Sequence, residues 1–274
     1  MRIGISGTPG VGKSTFIEAL GGHLTSQGER VAVLAIDPSS QRTGGSILGD
    51  RTRMTTLSRD PNAFIRSTPS SGVLGGVGAQ TFATRLLCEA AGYTVVLIET
   101  VGVGQSETTV SELTDLFLLL VAPSGGDDLQ GIKRGVMEMA DLIAINKADG
   151  PNVQAATITQ NDYRSALSLV RPKWPDHPTD VLLCSAQERS GIAEAWDALA
   201  TRWSTLDQSG RLANVRQDQA VRAFHRDVTG GVMKLVADLG EQTGVEQLEA
   251  DVRAGHVSPL GAAFRVVDSF ADRL

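Results

Sequence analysis

Short apolar runs alternate with longer segments of helical periodicity along most of the chain. The apolar runs, which contain few polar residues, lie at 2–6, 30–36, 93–99, 116–121, 141–145 and 181–184. Strands that are apolar on both faces are typical of a parallel sheet covered by helices. The apolar spacing between these runs predicts helices at 15–24, 79–91, 152–170 and 191–206, with a short helix at 52–59 and a short strand at 63–66. The pattern predicts an α/β fold with a mainly parallel central sheet.

Beyond Gly210 the pattern is helical only. One stripe of apolar residues continues across Gly230-Gly231, which weaken its middle, and comprises Val221, Phe224, Val228, Val232, Leu235 and Leu239. A second stripe follows a helix start at Ser258-Pro259 and comprises Leu260, Ala263, Phe264, Val267 and Phe270. The stripes pack either against the first domain or against a second copy, and we favour a two-fold dimer because terminal helices have apolar surface to cover. The predicted domains are 1–207 and a dimerisation arm at 208–274.

Composition limits the classes of partner. The net charge of −6 leaves no basic stripe, so no nucleic-acid partner is expected. No apolar run is long enough to span a membrane, and Met1 leads directly into the first predicted strand, so we expect no membrane partner, no signal peptide and a cytoplasmic location. The two cysteines fit buried thiols in a reducing compartment, and the four scattered histidines predict no transition-metal cluster.

A glycine-rich stretch, Gly7-Thr8-Pro9-Gly10-Val11-Gly12-Lys13-Ser14, joins the first predicted strand to the first predicted helix. Glycines let backbone N–H groups converge on an anionic oxygen, and the helix N-terminus adds positive potential. Lys13 supplies a charge for the terminal phosphates, and the Ser14 hydroxyl is a suitable Mg²⁺ ligand. The alternative is a glycine-rich turn, but the flanking strand and helix favour a three-layer P-loop NTPase fold. The predicted phosphate-binding residues are Gly7, Pro9, Gly10, Val11, Gly12, Lys13, Ser14 and Thr15.

Two apolar runs end in a carboxylate. Asp37 follows the second run, and Glu99 closes the third run three residues before Gly102. Ligands bind at the carboxyl ends of parallel strands, so both positions fall at the predicted nucleotide edge. We predict that Glu99 orients Mg²⁺ or its water and that the Gly102 N–H contacts a γ-phosphate. The segment 41–53, which contains Asp50, is predicted to be a switch loop.

The tetrad Asn146-Lys147-Ala148-Asp149 follows another predicted buried strand. The Asp149 carboxylate is able to accept hydrogen bonds from guanine N1–H and the exocyclic amino group, which adenine does not offer. A site built on those bonds rejects the base that lacks them. Ser185, Ala186 and Gln187, at the end of the last predicted strand, are predicted to cover the base with backbone N–H groups. The sequence therefore predicts GTP and GDP, rather than adenine nucleotides, as ligands.

With these motifs the chain resembles the methylmalonyl-CoA-mutase-associated GTPases, the MeaB/ArgK/MMAA family of SIMIBI-class G proteins. The likeness runs nearly end to end through 7–14, 33–40, 44–54, 99–107, 126–133 and 146–149. There are two departures from the family pattern. Family members usually carry a helical N-terminal extension, whereas Met1 here starts the first strand. The third switch reads Pro-Ser-Gly-Gly-Asp-Asp where Gly-Ala-Gly-Asp-Glu is more usual.

The resemblance implies a homodimer whose switch segments contact an adenosylcobalamin-dependent acyl-CoA mutase. GTP binding and hydrolysis would gate cofactor loading and protect the mutase. It also implies that Asp37, Asp50 and Glu99 are the Mg²⁺ and switch carboxylates, which together with Lys13 form the predicted catalytic set, and that residues 127–133 form the third switch. Three alternatives remain open: a nickel-insertion GTPase, which would need a His/Cys site, a GTP-dependent kinase, and a non-enzymatic clamp with GTP as a structural ligand.

Overall fold

The computed structural model describes residues 1–37, 54–69, 76–100, 110–123, 134–240 and 245–271. The strands in these ranges are β1 (Arg2–Gly7), β2 (Val31–Asp37), β3 (Ala63–Pro69), β4 (Val95–Glu99), β5 (Leu116–Val121), β6 (Leu142–Ile145) and β7 (Asp180–Leu183). The α-helices are α1 (Lys13–Ser26), α2 (Gly76–Ala90), α3 (Arg134–Met139), α4 (Val153–Ser168), α5 (Ile192–Gln208), α6 (Arg211–Gly240), α7 (Val245–Arg253) and α8 (Pro259–Ala271).

The seven strands form one sheet in the order β3-β2-β4-β1-β5-β6-β7, and every pair in it is parallel. β1 lies at the centre, between β4 and β5. The chain adds strands first on one side of β1 and then on the other, which makes the end of β1 the switch point where ligands bind in such sheets. This topology places the glycine-rich loop at the middle of the carboxyl edge.

Both faces of the sheet are buried, which explains why its strands are nearly continuous apolar runs. Alternate residues of β2 face opposite sides: Val31 and Val33 join the core that contains α1 and α5, whereas Ala32 and Leu34 join the core that contains residues of α2, α3 and α4. Helices thus cover the sheet on both sides. The predicted three-layer P-loop NTPase fold is confirmed.

Several element boundaries differ from the sequence-based predictions. β3 continues to Pro69 instead of Arg66 because it pairs with β2 residue for residue as far as Asp37. The predicted helix at 52–59 is, in its described part, a 3₁₀ turn at Leu57–Arg59. α6 passes through Gly230-Gly231 without a break, and α7 was not predicted.

The described chain divides into two compact units, Met1–Val221 and Arg222–Leu274. The first unit therefore includes the first turns of α6, beyond residue 207. A dimerisation role for the C-terminal region stays a prediction. None of the described helices has the length and apolar character that crossing a membrane requires.

A buried carboxylate explains why α6 begins inside the first unit. Asp115, directly before β5, has a fully buried side chain and accepts hydrogen bonds from the Arg2 backbone N–H (3.0 Å), from Trp203 Nε1 (3.2 Å) and from two Arg216 nitrogens (2.9 and 2.7 Å). Burial alone would raise the pKa of Asp115, but the hydrogen bonds and charge of Arg216, helped by Arg2, hold it below its usual value. Gln219 also donates to the Thr114 carbonyl oxygen at 2.7 Å.

Candidate functional site

The loop between β1 and α1 depends on glycines at three positions. A Cβ at Gly7 would lie 2.4 Å from the Leu120 carbonyl oxygen. Gly10 and Gly12 adopt φ values of +81° and +95°, which side-chain-bearing residues rarely adopt. A Cβ at Gly12 would lie 2.7 Å from Asn146 Nδ2, so this glycine also makes room for the neighbouring loop.

The start of α1 has the properties of an anion site. Gly12 is its N-cap residue and no described side chain caps the helix. The first N–H groups of a helix have no partner within it, and here they follow a turn in which the Val11 N–H donates to the Thr8 carbonyl oxygen (3.2 Å). Pro9 and Thr15 are exposed, whereas Val11 is buried and anchors the loop. The glycine cradle and the helix N-terminus fit the phosphates of a nucleotide.

Lys13 lies over this loop. Its ammonium group donates to the carbonyl oxygens of Gly7 (2.8 Å) and Thr8 (3.2 Å). The positive charge is therefore held at the mouth of the cradle, on the first residue of α1. This is where the sequence places a cation for the terminal phosphates.

Ser14 and Glu99 meet at the same edge of the sheet. β4 lies beside β1, with Glu99 opposite Ile5, and the Ser14 hydroxyl donates to Glu99 Oε1 at 3.3 Å. Hydroxyl and carboxylate oxygens are the donors that Mg²⁺ prefers, so the pair fits that ion. The backbone of Asp37 ends β2 at the same edge; its side chain, Asp50 and Gly102 lie outside the described residues. Within the described ranges no group of three or more His, Cys, Asp or Glu residues could hold a metal.

Asn146 joins three loops at the nucleotide edge. Its buried side chain donates from Nδ2 to the Val11 carbonyl oxygen (2.9 Å) and accepts the Ala186 N–H at Oδ1 (3.0 Å). Lys147, in the left-handed region with φ +60°, donates to the Gly10 carbonyl oxygen at 2.7 Å. The predicted base-reading tetrad is thereby fixed to the phosphate loop on one side and to the loop after β7 on the other.

Asp149 is oriented by Ser185. The Ser185 hydroxyl donates to Asp149 Oδ2 and accepts the Glu188 N–H at 3.1 Å. Ser185 is fully buried and Asp149 is half-buried, so the carboxylate is held from behind and reaches solvent. This arrangement suits a carboxylate that accepts hydrogen bonds from a base.

The backbone of the loop after β7 is already partly hydrogen-bonded within the protein. The Ser185 N–H donates to the Ser190 carbonyl oxygen (2.9 Å), and the Ala186 N–H donates to Asn146. Gln187 is exposed. The structure brings all three residues to the tetrad, and their contact with a base through N–H groups stays a prediction.

Cys184 belongs to this site although sequence reasoning treated it as an ordinary buried thiol. Its Sγ donates to Asn146 Oδ1 at 3.7 Å. Burial raises the pKa of Cys184 to about 12, so the thiol keeps its proton and acts as a donor. The sequence feature that could have indicated this role is the position of Cys184, directly before Ser185 at the end of the last predicted strand.

The cradle after β1, the Ser14–Glu99 pair at the ends of the loop and β4, and the hydrogen-bonded base tetrad after β6 lie at one edge of a parallel sheet. That combination defines the class of P-loop GTPases. A sequence profile of the family described as methylmalonyl Co-A mutase-associated GTPase MeaB matches residues 1–241. The chain belongs to this family and is a GTPase, as the resemblance implied.

Individual relatives agree with this assignment. The chain is 55% identical to GTPase ArgK of Escherichia coli K12 over 233 residues, which is 85% of this chain and 70% of the relative. It is 46% identical over 276 residues to the mitochondrial methylmalonic aciduria type A homolog of Caenorhabditis elegans, covering 98% of this chain and 68% of the relative. A crystal structure described as LAO/AO transport system kinase superposes with a TM-score of 0.72 at 39% identity, covering 99% of this chain and 82% of that chain.

Proposed function

We propose that this GTPase is a chaperone of an adenosylcobalamin-dependent acyl-CoA mutase, methylmalonyl-CoA mutase or a close relative, and that GTP binding and hydrolysis gate cofactor loading and protect the mutase. The observation that carries the proposal is the family match over residues 1–241, because the family is named for association with that mutase. The name of the Caenorhabditis elegans relative, which refers to methylmalonic aciduria, supports the same partner. We further propose that the protein acts in the cytoplasm, with neither nucleic acid nor membrane as a partner.

Within this proposal the chain hydrolyses GTP by positioning and electrostatics. Lys13 and the N–H groups at the start of α1 hold the β- and γ-phosphates. Ser14 and Glu99, with Asp37 and Asp50, would hold Mg²⁺, which neutralises phosphate charge when bound. Glu99 also orients the attacking water, and the Gly102 N–H contacts the γ-phosphate.

The base is selected separately from the phosphates. Asp149 accepts two hydrogen bonds from guanine, while Ser185 holds its carboxylate in place. Asn146 is uncharged, and its hydrogen bond to Val11 fixes the tetrad to the phosphate loop. GTP and GDP therefore share the base contacts and differ only at the γ-phosphate and the segments that reach it.

We also propose a homodimer formed through the C-terminal region. Large apolar side chains on α6 and α8 are roughly half exposed or more and recur at three- and four-residue steps: Phe224 (63%), Val228 (48%), Val232 (52%), Leu235 (58%), Leu260 (69%), Phe264 (60%) and Val267 (60%). Large exposed apolar side chains repeated along one face of a helix are typical of an interaction site. Sedimentation of the wild type and of a Phe264→Asp variant tests the proposal, which predicts that the variant is monomeric.

The chaperone proposal is tested by recovering the mutase from native cells on the immobilised protein and measuring GTP turnover with and without it. A stimulated rate, and loss of mutase protection when Lys13 is replaced by Ala, are expected. The proposal is wrong if no cobalamin-dependent mutase is recovered or if turnover is unchanged at saturating mutase.

A GTP-dependent kinase is the second candidate, because the LAO/AO structure carries a kinase description at 39% identity. The two functions differ in where the γ-phosphate goes. With γ-labelled GTP, a GTPase chaperone releases the label as inorganic phosphate, whereas a kinase transfers it to a protein or small molecule. For a nickel-insertion GTPase, no observation on the described residues offers support.

A further inference from the structure

One face of α1 links the phosphate site to the turn that follows the predicted switch loop. Ser14, Glu18 and Gly21 recur at helical spacing, so they lie along one face of the helix that starts at the phosphate loop. Ser14 contacts Glu99, as described above. Glu18 and Gly21 contact the segment 54–60, which directly follows residues 41–53.

Glu18 caps this segment from outside. Its Oε1 accepts the backbone N–H groups of Thr56 (2.7 Å) and Leu57 (3.3 Å), the first free amides of the turn that contains Leu57–Arg59. Hydrogen bonds from N–H groups to a carboxylate at the start of a helical turn are strong because the acceptor is charged. Glu18 Oε2 is buried and has no hydrogen-bond partner among the described residues, so within them the carboxylate accepts hydrogen bonds at Oε1.

Gly21 leaves room on α1 for a side chain of the same turn. Leu57 is buried, with 1% of its surface exposed, and its Cδ2 lies 2.5 Å from the position that a Cβ on Gly21 would occupy. Met54 is fully buried at the start of the segment. The turn is therefore held on α1 by one charged cap and by a side chain that only a glycine admits.

We propose that Glu18 and the Gly21–Leu57 contact form an anchor through which α1 positions the end of the predicted switch loop for GTP hydrolysis. Glu18 is a positioning residue in this proposal, because it acts through the Thr56 and Leu57 N–H groups whose hydrogen bonds it accepts. The inference rests on the nucleotide site of the proposed function, but not on the identity of the mutase.

Two adjacent glycines on α1 provide a test variant and a matched control. A Cβ on Gly21 meets Leu57, whereas a Cβ on Gly22 meets nothing within 4 Å. Gly21→Ala and Gly22→Ala therefore make the same chemical change on the same helix, and only the first disturbs the anchor. Glu18→Ala removes the cap, whereas Glu18→Gln keeps an oxygen that accepts both N–H groups.

The experiment measures single-turnover GTP hydrolysis, GDP affinity and melting temperature for the isolated full chain. We expect Glu18→Ala to hydrolyse GTP roughly tenfold more slowly, the size expected for loss of a hydrogen bond to a charged group. Gly21→Ala should also be slower than Gly22→Ala, because its Cβ would displace Leu57 and the turn that carries it. GDP affinity should stay within about twofold, because its phosphate and base contacts are retained. Gly22→Ala should stay close to the wild type, and Glu18→Gln, which keeps the acceptor oxygen but loses the charge, should lie between the wild type and Glu18→Ala.

Three results would overturn the anchor. A wild-type rate of GTP hydrolysis for Glu18→Ala would show that the hydrogen bonds to Glu18 do not affect hydrolysis. A parallel loss of GDP affinity and melting temperature would reduce Glu18 to a structural role, and a wild-type rate for Gly21→Ala beside a slow Glu18→Ala would assign the effect to the charge rather than the turn. Since each assay uses the chain's own turnover, failure of the mutase proposal would leave these comparisons intact.

Discussion

Replacing Asp149 by Asn is expected to change the base that the protein prefers from guanine to xanthine. The Ser185 hydroxyl accepts the Glu188 N–H at 3.1 Å, and so directs its proton to Asp149 Oδ2. In the variant that proton would pair with the amide oxygen, which turns the amide NH₂ group toward the base. Guanine then presents its N1–H and amino donors to an amide NH₂ group, which is itself a donor. Xanthine instead offers a carbonyl oxygen at the position of the guanine amino group, and this oxygen is able to accept a hydrogen bond from the amide.

The size of the change follows from two hydrogen bonds to a charged acceptor. Each contributes about 1.5–3 kcal/mol, so their loss would weaken GDP binding by roughly 3–6 kcal/mol. Since about 1.4 kcal/mol is tenfold, this is roughly 10²–10⁴ in Kd. Asp149 is half-buried, and solvent therefore brings the expected loss toward the lower end.

Fluorescence titration with labelled GDP and xanthosine diphosphate measures both affinities. A matched variant is Asp149→Asn combined with Ser185→Ala, in which the amide loses its orienting partner and the preference for xanthine should shrink. If Asp149→Asn alone still binds GDP more tightly than the xanthine nucleotide, Asp149 does not read the base and the assignment of the tetrad fails.

Three further predictions concern other parts of the first unit. Lys13→Ala should lower GTP hydrolysis roughly 10²-fold in a phosphate-release assay, because an ammonium aimed at the transferred phosphate is lost. Gly12→Ala should weaken GDP binding about tenfold or more, because its Cβ would lie 2.7 Å from Asn146 Nδ2. Asp115→Ala should cost about 1–3 kcal/mol in urea unfolding at neutral pH, because the Arg2 N–H and Trp203 Nε1 lose a buried acceptor, while Arg216, whose side chain is 36% exposed, reaches solvent. The depressed pKa of Asp115 means that its contribution is present above about pH 4 and is lost as pH falls through the native pKa, so acid should destabilise the wild type more than the variant.

Each of these has a control. Gly28 has a φ of +88° and open space around it, so Gly28→Ala reports backbone strain without the Asn146 clash; equal GDP affinities for the two glycine variants would contradict the proposed contact. Arg216→Ala should cost more than Asp115→Ala, because it leaves the fully buried Asp115 carboxylate without this cation; a smaller cost would contradict the pairing. Normal turnover by Lys13→Ala would show that the phosphate site is misassigned.

The sequence predicted the site best where one local motif supplies the chemistry. In the glycine loop and in the tetrad, a few consecutive residues indicate both the backbone geometry and the hydrogen-bonding groups. The structure brings the two motifs together, with the Asn146 side chain donating to the Val11 carbonyl oxygen. Cys184 was missed because its role depends on a side chain 38 residues away.

The buried polar contacts outside the site could not be predicted. Asp115 and Asp141 each stand alone directly before an apolar strand, where a sequence pattern suggests only a turn. Asp141 accepts the Phe117 N–H (2.8 Å), Lys173 Nζ (2.6 Å) and Trp174 Nε1 (2.7 Å), and Asp115 binds Arg216 at a separation of 101 residues. Such partners become neighbours only when the sheet is assembled, so no local spacing reveals them.

The hydrogen bonds that hold Asp115 determine where the chain should be cut to obtain a stable fragment. Cutting after residue 207 would keep Trp203 but discard Arg216 and Gln219, leaving a buried negative charge with its cation gone. Cutting after Val221 keeps both. A fragment ending at 221 should thus unfold at higher urea concentration than one ending at 207, although the shorter piece already carries every loop of the nucleotide edge.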